Sequence, residues 1–419
     1  MGAEVVTSRI YADPYRPRAI AAANVVGRVL ARVGLRASLE EASLLAAARR
    51  AGRGRQFSDE SFREPLGRLL TAIEREARLH PLGQAIMRQT LVRLLLNRLR
   101  LEAACEEHPE IEAIAVDAPV FIVGLQRSGT TLLHRLLASD PALRPLASWE
   151  ALNPAPFPGS EVRAGGRDPR MRPAEWAERG LRYLAPDFFA IHPVEAHAPE
   201  EDVLLLDFSL LSPTAEASQN LPSYSQWLED VDHRPAYRYF RRMIQLLLWQ
   251  RPGRWLGKTP HHLEYLDALL DVFPDAKIIH THRDPLRVLP SFCSMLSHAR
   301  GIFSDRVDPR EVGRQWTHKQ VRMVERAMAV RDRVGSESFA DVSYYDLVAD
   351  PIKQVRRIYD FLELDLSPEI ERRMQAWISG NPQHRLGRHG YRLEDFGLDR
   401  ADLEGRFAAY RERFDVPRE

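Results

Sequence analysis

The chain has 419 residues, of which 44% are hydrophobic and 28% charged, enough for a large α/β domain with a helical appendage. Its 59 basic and 58 acidic residues nearly cancel at a formal net charge of +1. No global field therefore attracts nucleic acid or an acidic surface, and an anion site requires a local cluster. The two cysteines, Cys105 and Cys293, follow no CxxC pattern, which argues against a disulfide framework or a structural zinc site and fits a reducing compartment.

The first residues carry Glu4 and Asp13 and do not resemble a secretory signal. Gly2 is followed at position 6 by Val6, where a myristoylation signal requires Ser or Thr. No apolar run approaches the ~18 residues needed to span a bilayer. We therefore expect a cytoplasmic protein without a transmembrane segment.

Residues 1–118 have a helical pattern. Ser38 followed by Glu41 is typical of a capping box at the start of a helix. Apolar residues then recur at spacings of three and four, as in Leu66, Leu69, Leu70 and Ile73 and in Leu91, Leu94, Leu95 and Leu99. The pattern predicts a packed N-terminal helical cap, and a separate binding function is the alternative.

The pattern changes at Pro119. The apolar run at 120–123 is typical of a buried parallel strand, and it leads directly into the loop GLQRSGTT at 124–131 and a leucine-rich helix. Further strand and helix units are predicted at 255–270, 276–290 and 339–347, the second with Asp284 as N-cap.

Alternating strands and helices predict an α/β fold, a P-loop-like three-layer structure with a parallel sheet flanked by helices. We expect a domain over 119–419, in which residues 150–250 form a helical insertion over the site and supply the acceptor pocket. That segment is rich in Pro and in large apolar residues such as Trp176, Phe188, Phe189 and Trp227, which favours an apolar acceptor, with ordinary core packing as the alternative.

The loop at 124–131 is the strongest chemical signal. A strand that ends in a glycine-bounded loop before a helix presents backbone N–H groups and a positive helix dipole to phosphate. The spacing matches GxxxxGK[ST], except that Thr130 replaces the lysine that helps neutralise a triphosphate. A tight turn without a ligand is the alternative. A sulfuryl group carries only one negative charge, so it can be transferred without a metal. Such a site requires a cation and hydroxyl groups, which Arg127 and the pair Thr130 and Thr131 supply.

The loop resembles the 5′-phosphosulfate loop of sulfotransferases, in the Arg form found in tyrosylprotein-type and bacterial enzymes. The resemblance covers roughly residues 119–395. It implies that the donor is 3′-phosphoadenosine 5′-phosphosulfate (PAPS). The residues it assigns to the 5′-phosphosulfate are Arg127, Ser128, Gly129, Thr130 and Thr131.

The same resemblance assigns Arg283 and Ser291, eight residues apart, to the 3′-phosphate. Tyr344, in a Tyr-x-Asp-Leu segment, matches the tyrosine that contacts adenine. Lys258 matches the lysine near the bridging oxygen, where it would stabilise the leaving phosphate. Arg388, in a basic stretch near the end of the chain, is a further candidate for the 3′-phosphate, with a solvated loop as the alternative.

A base must accept the proton of the attacking hydroxyl. His261 is the first candidate, because the start of a helix disfavours the imidazolium, although family members carry their His one position earlier. Glu150 is the second candidate, at about the distance from the loop at which tyrosylprotein-type enzymes carry their glutamate. Glu200 and Glu201, which precede an apolar run, are the others.

The sequence thus predicts a transferase that moves a sulfuryl group from PAPS to the hydroxyl of a small-molecule or lipid acceptor, without a metal and without nucleic acid as a partner. A degenerate P-loop kinase or NTPase is one alternative. A non-enzymatic nucleotide-binding interaction module is the other. Acceptor identity and oligomeric state are not determined by these patterns.

Overall fold

The computed structural model describes Tyr11 and residues 14–159, 167–381 and 390–419, so Arg388 lies outside the described residues. The N-terminal region is helical, as the leucine spacing predicts. It consists of α1 (Arg18–Arg32), α2 (Glu41–Ala51), α3 (Arg63–Glu76), α4 (Pro81–Glu107) and a 3₁₀ turn at Pro109–Ala113.

The predicted capping box is wrong in detail. Helix α2 begins at Glu41 with Glu40 as its N-cap residue. The Ser38 hydroxyl instead accepts a hydrogen bond from the Glu40 backbone N–H at 3.2 Å. Ser38 therefore forms a local turn before the helix, a competing arrangement that serine side chains readily adopt.

The apolar run beginning at Val120 forms strand β1 (Val120–Gly124), followed by α5 (Thr130–Leu137) and β2 (Leu143–Pro145). Strand β2 has three residues, too short to show a periodic pattern. The region predicted as an insertion is helical in its described part. Its elements are α6 (Ser148–Leu152), α7 (Met171–Leu184), α8 (Pro186–Ile191), α9 (Val203–Leu206), a 3₁₀ turn (Asp207–Ser209), α10 (Thr214–Ser218), α11 (Pro222–Asp230) and α12 (Arg234–Gln250).

The β/α alternation resumes after α12, close to the predicted boundaries. The elements are β3 (Arg254–Lys258), a 3₁₀ turn (Pro260–Leu263), α13 (Leu266–Val272), β4 (Lys277–His282), α14 (Pro285–Phe303), α15 (Pro309–Val334), β5 (Phe339–Ser343), α16 (Tyr344–Ala349), α17 (Pro351–Leu362), α18 (Pro368–Gly380), a 3₁₀ turn (Glu394–Phe396), α19 (Arg400–Arg406) and α20 (Ala408–Arg413). Asp284 caps α14 as predicted, since its Oδ1 accepts from the Leu286 N–H at 3.1 Å.

The strands of the described residues form one parallel sheet in the order β2-β3-β1-β4-β5. Strand β1 is central and pairs with β3 on one side and β4 on the other, with Ile122 opposite both Lys258 and Ile279. The chain thus changes direction across the sheet at β1. In open α/β sheets, ligands bind at the carboxyl ends of the strands at such a switch point.

Alternate residues of the central strand enter different cores, which confirms the three-layer α/β architecture. Phe121 and Val123 pack into the core that also contains the N-terminal helices and the insertion. Val120 and Ile122 pack into the core on the opposite face, with α5 and α17. Because both faces are covered, the strands are apolar throughout, as parallel strands require.

Among the described residues, no helix is both long enough and apolar enough to cross a bilayer. Cys105 and Cys293 are free thiols, and Cys293 is buried.

Candidate functional site

The loop between β1 and α5 is fixed by glycine and by side-chain hydrogen bonds. Gly124 has φ 146° and Gly129 has φ 92°, values that side chains rarely allow. A Cβ on Gly124 would stand 2.3 Å from Thr281 Oγ1, so β1 and β4 approach closely only because this residue is glycine. The hydroxyls of Ser128 and Thr281 are 2.7 Å apart, which ties the loop to the end of β4.

Amide groups and a cation are available in this loop. The first N–H groups of α5, which begins at Thr130, have no partner within the helix and point towards the carboxyl edge of the sheet. Arg127 has φ 69° and an exposed side chain, and its Nη1 donates to the carbonyl of Ile191 at 3.4 Å. No carboxylate of the described residues pairs with it, so its positive charge is available to an anion.

Arg283, at the end of β4, lies directly beside this loop. Its Nη1 donates to the carbonyl oxygen of Arg127 at 3.1 Å. Its guanidinium carbon lies 3.9 Å from the centre of the Tyr344 ring, a cation–π contact. The Tyr344 ring also covers Gly129, where a Cβ would approach its Cδ2 to 3.1 Å. The structure therefore brings Arg127, Gly129, Arg283 and Tyr344 together.

Lys258 is the last residue of strand β3, on the other side of β1 from Arg283. Its ammonium is buried and pairs with Glu201, with Nζ and Oε1 2.5 Å apart. The other oxygen of Glu201 accepts from the Thr259 hydroxyl at 3.2 Å. The Asp202 N–H donates to the Lys258 carbonyl at 3.0 Å, which holds the segment before α9 against the end of β3. Of the four candidate bases, Glu201 is thus the one in contact with Lys258.

The two neighbouring glutamates differ electrostatically. Burial raises the pKa of Glu201, but the Lys258 ammonium and His192 lower it more, so the net pKa lies below its ordinary value. Burial also raises the pKa of Glu200, and the charges around it do not offset that effect. At neutral pH, Glu201 is therefore ionised and able to accept a proton.

His192, which follows α8, was not identified in the sequence. Burial lowers its pKa to about 4, an effect that Glu201 opposes and Lys258, Arg127 and Arg135 reinforce. The imidazole of His192 is therefore neutral at neutral pH, and it lies among the charged groups of the site. No motif surrounds His192, and the only available signal was its position in the predicted insertion.

The first-choice base, His261, lies in a different setting. It occupies a short 3₁₀ turn, so the predicted effect of a helix dipole does not apply at full strength. Its ring packs 4.9 Å from that of Tyr265 and 5.9 Å from that of His233. Burial lowers the pKa of His261 far below its ordinary value. Of the described contacts, none joins His261 to Lys258, Arg127 or Arg283.

Glu150 has a structural setting. It forms two hydrogen bonds with Arg144, Nη1–Oε2 at 2.9 Å and Nη2–Oε1 at 2.7 Å, and both side chains are buried. The same carboxylate accepts from the N–H of Ala147 at the start of α6. Both oxygens are therefore engaged, which leaves Glu150 poorly suited to accept a proton from a substrate.

One cluster in the described residues resembles a metal site: His280, His282 and Asp341 on β4 and β5. Arg331 donates to both oxygens of Asp341, at 2.6 and 2.8 Å, and lies 3.3 Å from His280 Nδ1. A guanidinium in that position repels a cation, so the cluster is an ion-paired link between strand and helix.

The fold and the glycine-bounded loop at this edge of the sheet define an α/β protein of P-loop-like architecture. Residues 119–368, more than half of the chain, match the sulfotransferase family, and the chain belongs to that family.

Three relatives are informative. The omega-hydroxy-beta-dihydromenaquinone-9 sulfotransferase Stf3 of Mycobacterium tuberculosis is 30% identical over 269 residues, which cover 60% of this chain and 64% of that protein. The match thus spans less than two thirds of the relative. The structure of sulfotransferase STF1 from M. tuberculosis H37Rv is similar with a TM-score of 0.78 and 34% identity, covering 88% of this chain and 98% of that one. The structure of STF9 from M. avium has a TM-score of 0.82 and 28% identity, covering 91% and 98%.

Proposed function

We propose that this sulfotransferase uses PAPS as its donor and transfers the sulfuryl group to the hydroxyl of an apolar, lipid-like acceptor. One observation carries the donor assignment: the Arg283 guanidinium lies against the carbonyl of Arg127. Arg127 follows the central strand β1 and Arg283 follows its neighbour β4, so two cationic residues are adjacent at the switch point of the sheet. A donor with phosphate at both its 3′ and 5′ positions is complementary to such a pair.

The donor-binding roles follow from these positions. Arg127, the hydroxyls of Ser128, Thr130 and Thr131 and the first amides of α5 would bind the 5′-phosphosulfate. Arg283 would bind the 3′-phosphate together with Ser291, which is buried on α14 two turns further on. Tyr344, whose ring lies under the Arg283 guanidinium, would support the adenine. Arg388 remains a candidate for the 3′-phosphate from outside the described residues.

The transfer step is a displacement at sulfur. The acceptor oxygen forms a bond to sulfur as the bond between sulfur and the bridging phosphate oxygen breaks. The bonding electrons pass to the departing 5′-phosphate, and the acceptor proton passes to a base. We assign that base to Glu201, ahead of Glu200, His261 and Glu150, because Glu201 contacts Lys258.

This pairing couples the two halves of the step. Lys258 keeps the Glu201 carboxylate ionised before reaction. As the carboxylate takes the proton, its attraction for the ammonium falls, and Lys258 becomes free to stabilise the negative charge that develops on the leaving phosphate.

The proposed class of acceptor is supported by the relative Stf3 and by the position of helix α8. Stf3 is named for a reaction on a hydroxylated dihydromenaquinone, a lipid. In this chain, α8 approaches the site, since the Ile191 carbonyl accepts from Arg127. Phe189 is buried on α8, and Phe188 packs with its ring 6.0 Å from that of His192. An apolar acceptor would find an aromatic wall beside the charged groups.

The proposal is tested by incubating the full chain with radiolabelled PAPS and an ω-hydroxylated isoprenoid quinone, or with labelled ATP as an alternative donor. We expect label in the extracted lipid with PAPS and none with ATP. The matched control is the same quinone without its hydroxyl, which should accept nothing. Transfer from ATP, or transfer to the control lipid, would overturn the proposal.

A further inference from the structure

An apolar surface is exposed on the N-terminal helical region. The described part of the chain has eleven exposed large apolar or aromatic residues. Seven of them lie between Tyr15 and Leu35, and two more, Trp176 and Tyr183, lie on α7. Such clustering on a folded surface marks an interaction site, whereas single exposed residues are ordinary.

Helix α1 displays most of this surface because only one of its faces is anchored. The buried Asn24 accepts a hydrogen bond from the Leu82 N–H at 3.0 Å, and a Cβ on Gly27 would collide with Pro81. At 100° per residue, five apolar residues occupy an arc of about 140° on the opposite side of the helix. We call this surface the α1 face; it consists of Val25, Val26, Val29, Leu30 and Val33.

The charge of this segment points to one kind of partner. Residues 14–39 contain five arginines and no acidic residue. Arg16 and Arg28 pair with Asp305. The exposed side chains of Arg18, Arg32 and Arg36 have no carboxylate partner among the described residues. A helix with an apolar face and flanking arginines has the composition of helices that lie in a lipid interface.

The segment before α1 also leads to the active site. Tyr15 lines a small surface groove with Leu184, Phe188 and Gly301. This groove lies at the first turn of α8, whose last residue, Ile191, accepts from Arg127. Six helical residues span about 9 Å. The groove beside Tyr15 and the proposed sulfuryl-transfer site are therefore one short helix apart.

We propose that the α1 face docks on an anionic lipid bilayer. The helix would lie in the interface with its valines in the acyl boundary and its arginines at the headgroups. An acceptor lipid could then reach Arg127 and Lys258 along α8 without entering water. Docking itself requires no sulfuryl transfer, whereas this route for the acceptor rests on the proposed function.

The test is flotation of the full chain, without donor, with vesicles of phosphatidylglycerol mixed with phosphatidylcholine and with pure phosphatidylcholine vesicles. We expect binding to the anionic vesicles that falls at least about tenfold in a Val25→Asp/Val29→Asp variant, since two valines leave the interface. Arg32→Glu should weaken binding by about fivefold or more. Val334→Asp, at another exposed valine, on α15, is the control and should bind as wild type.

Three results would overturn the inference: equal binding to both vesicle types, no binding by the wild type, or full binding by the double variant. Light scattering without vesicles measures the oligomeric state and so tests the competing occupant, a second copy of the chain. If the wild type is a dimer that does not bind vesicles, and the double variant is a monomer, the α1 face is a dimer interface. Binding of adenosine 3′,5′-bisphosphate by the same variants keeps the two proposals separate. If the wild type does not bind adenosine 3′,5′-bisphosphate, the donor assignment is wrong, but the result on membrane docking still stands.

Discussion

The side chains of Arg283 and Glu419 form a two-point ion pair, with Nε and Oε1 2.9 Å apart and Nη2 and Oε2 3.3 Å apart. The same carboxylate accepts from Arg287 Nε at 3.1 Å and from the Tyr345 hydroxyl at 2.9 Å. The backbone N–H of Glu419 donates to Asp284 Oδ2 at 2.9 Å. A carboxylate thus lies where the proposed 3′-phosphate would bind, so that phosphate must displace it.

Glu419→Gln should therefore tighten the binding of adenosine 3′,5′-bisphosphate. The gain should be about two- to fivefold, the value of a partly exposed ion pair that no longer competes. Isothermal titration calorimetry measures it. Glu412→Gln, which removes an exposed carboxylate on the neighbouring α20, is the control and should leave the affinity unchanged. Weaker binding by Glu419→Gln would show that Glu419 supports the nucleotide site instead of competing for it.

Glu201→Gln should lower kcat by about 10²- to 10⁴-fold with little change in bisphosphate affinity, because the amide cannot accept the acceptor proton. Single-turnover transfer from saturating PAPS isolates this step. Glu200→Gln retains the neighbouring carboxylate at position 201 and should lose much less activity. A larger loss in Glu200→Gln than in Glu201→Gln would move the base to Glu200.

The pH dependence of kcat/KM, which reports the pKa values of the protein without bound substrate, distinguishes the same two residues. The charged neighbours hold the pKa of Glu201 below its ordinary value of 4.5 and burial holds that of Glu200 above it. A base must be deprotonated to act, so activity falls as the pH drops through its pKa. We expect the acidic limb of the wild-type profile below pH 4.5. A limb above that value would contradict the assignment to Glu201.

Glu150→Gln should act on stability. It leaves the Arg144 guanidinium buried without its counter-charge, and breaking a buried pair in this way costs about 3–5 kcal/mol. The midpoint temperature of unfolding should fall by several degrees or more. Glu369→Gln, which breaks an exposed pair with Arg373, should change it little. Unchanged stability with abolished transfer would return Glu150 to the catalytic candidates.

Much of the fold follows from local patterns. The apolar run of β1, the glycines of its loop and the cap at Asp284 each depend on residues close together in the chain, and the structure has these elements close to their predicted positions. Parallel strands with both faces buried require the continuous apolar character that revealed them. Strand β2 was missed because three edge residues carry no period.

The candidate bases could not be ranked from local patterns. His261 is near Lys258 in sequence, yet its ring packs with His233 and Tyr265, whereas Glu201, 57 residues earlier in the chain, contacts the ammonium. Glu150 is held by Arg144, which lies on the short strand β2, and no sequence pattern predicted that strand. Long-range packing decides these contacts, so spacing along the chain gives no reliable ranking.

The central claim is that two cationic groups at the edge of one sheet bind both ends of PAPS. Calorimetric titration with adenosine 3′,5′-bisphosphate and adenosine 5′-monophosphate tests it most directly, using wild type, Arg283→Ala and, as control, Arg287→Ala. We predict that wild type and Arg287→Ala prefer the bisphosphate and that Arg283→Ala loses this preference, with a fall in affinity of about tenfold to a hundredfold for a charge-assisted contact. Equal affinity of wild type for the two nucleotides would contradict the account.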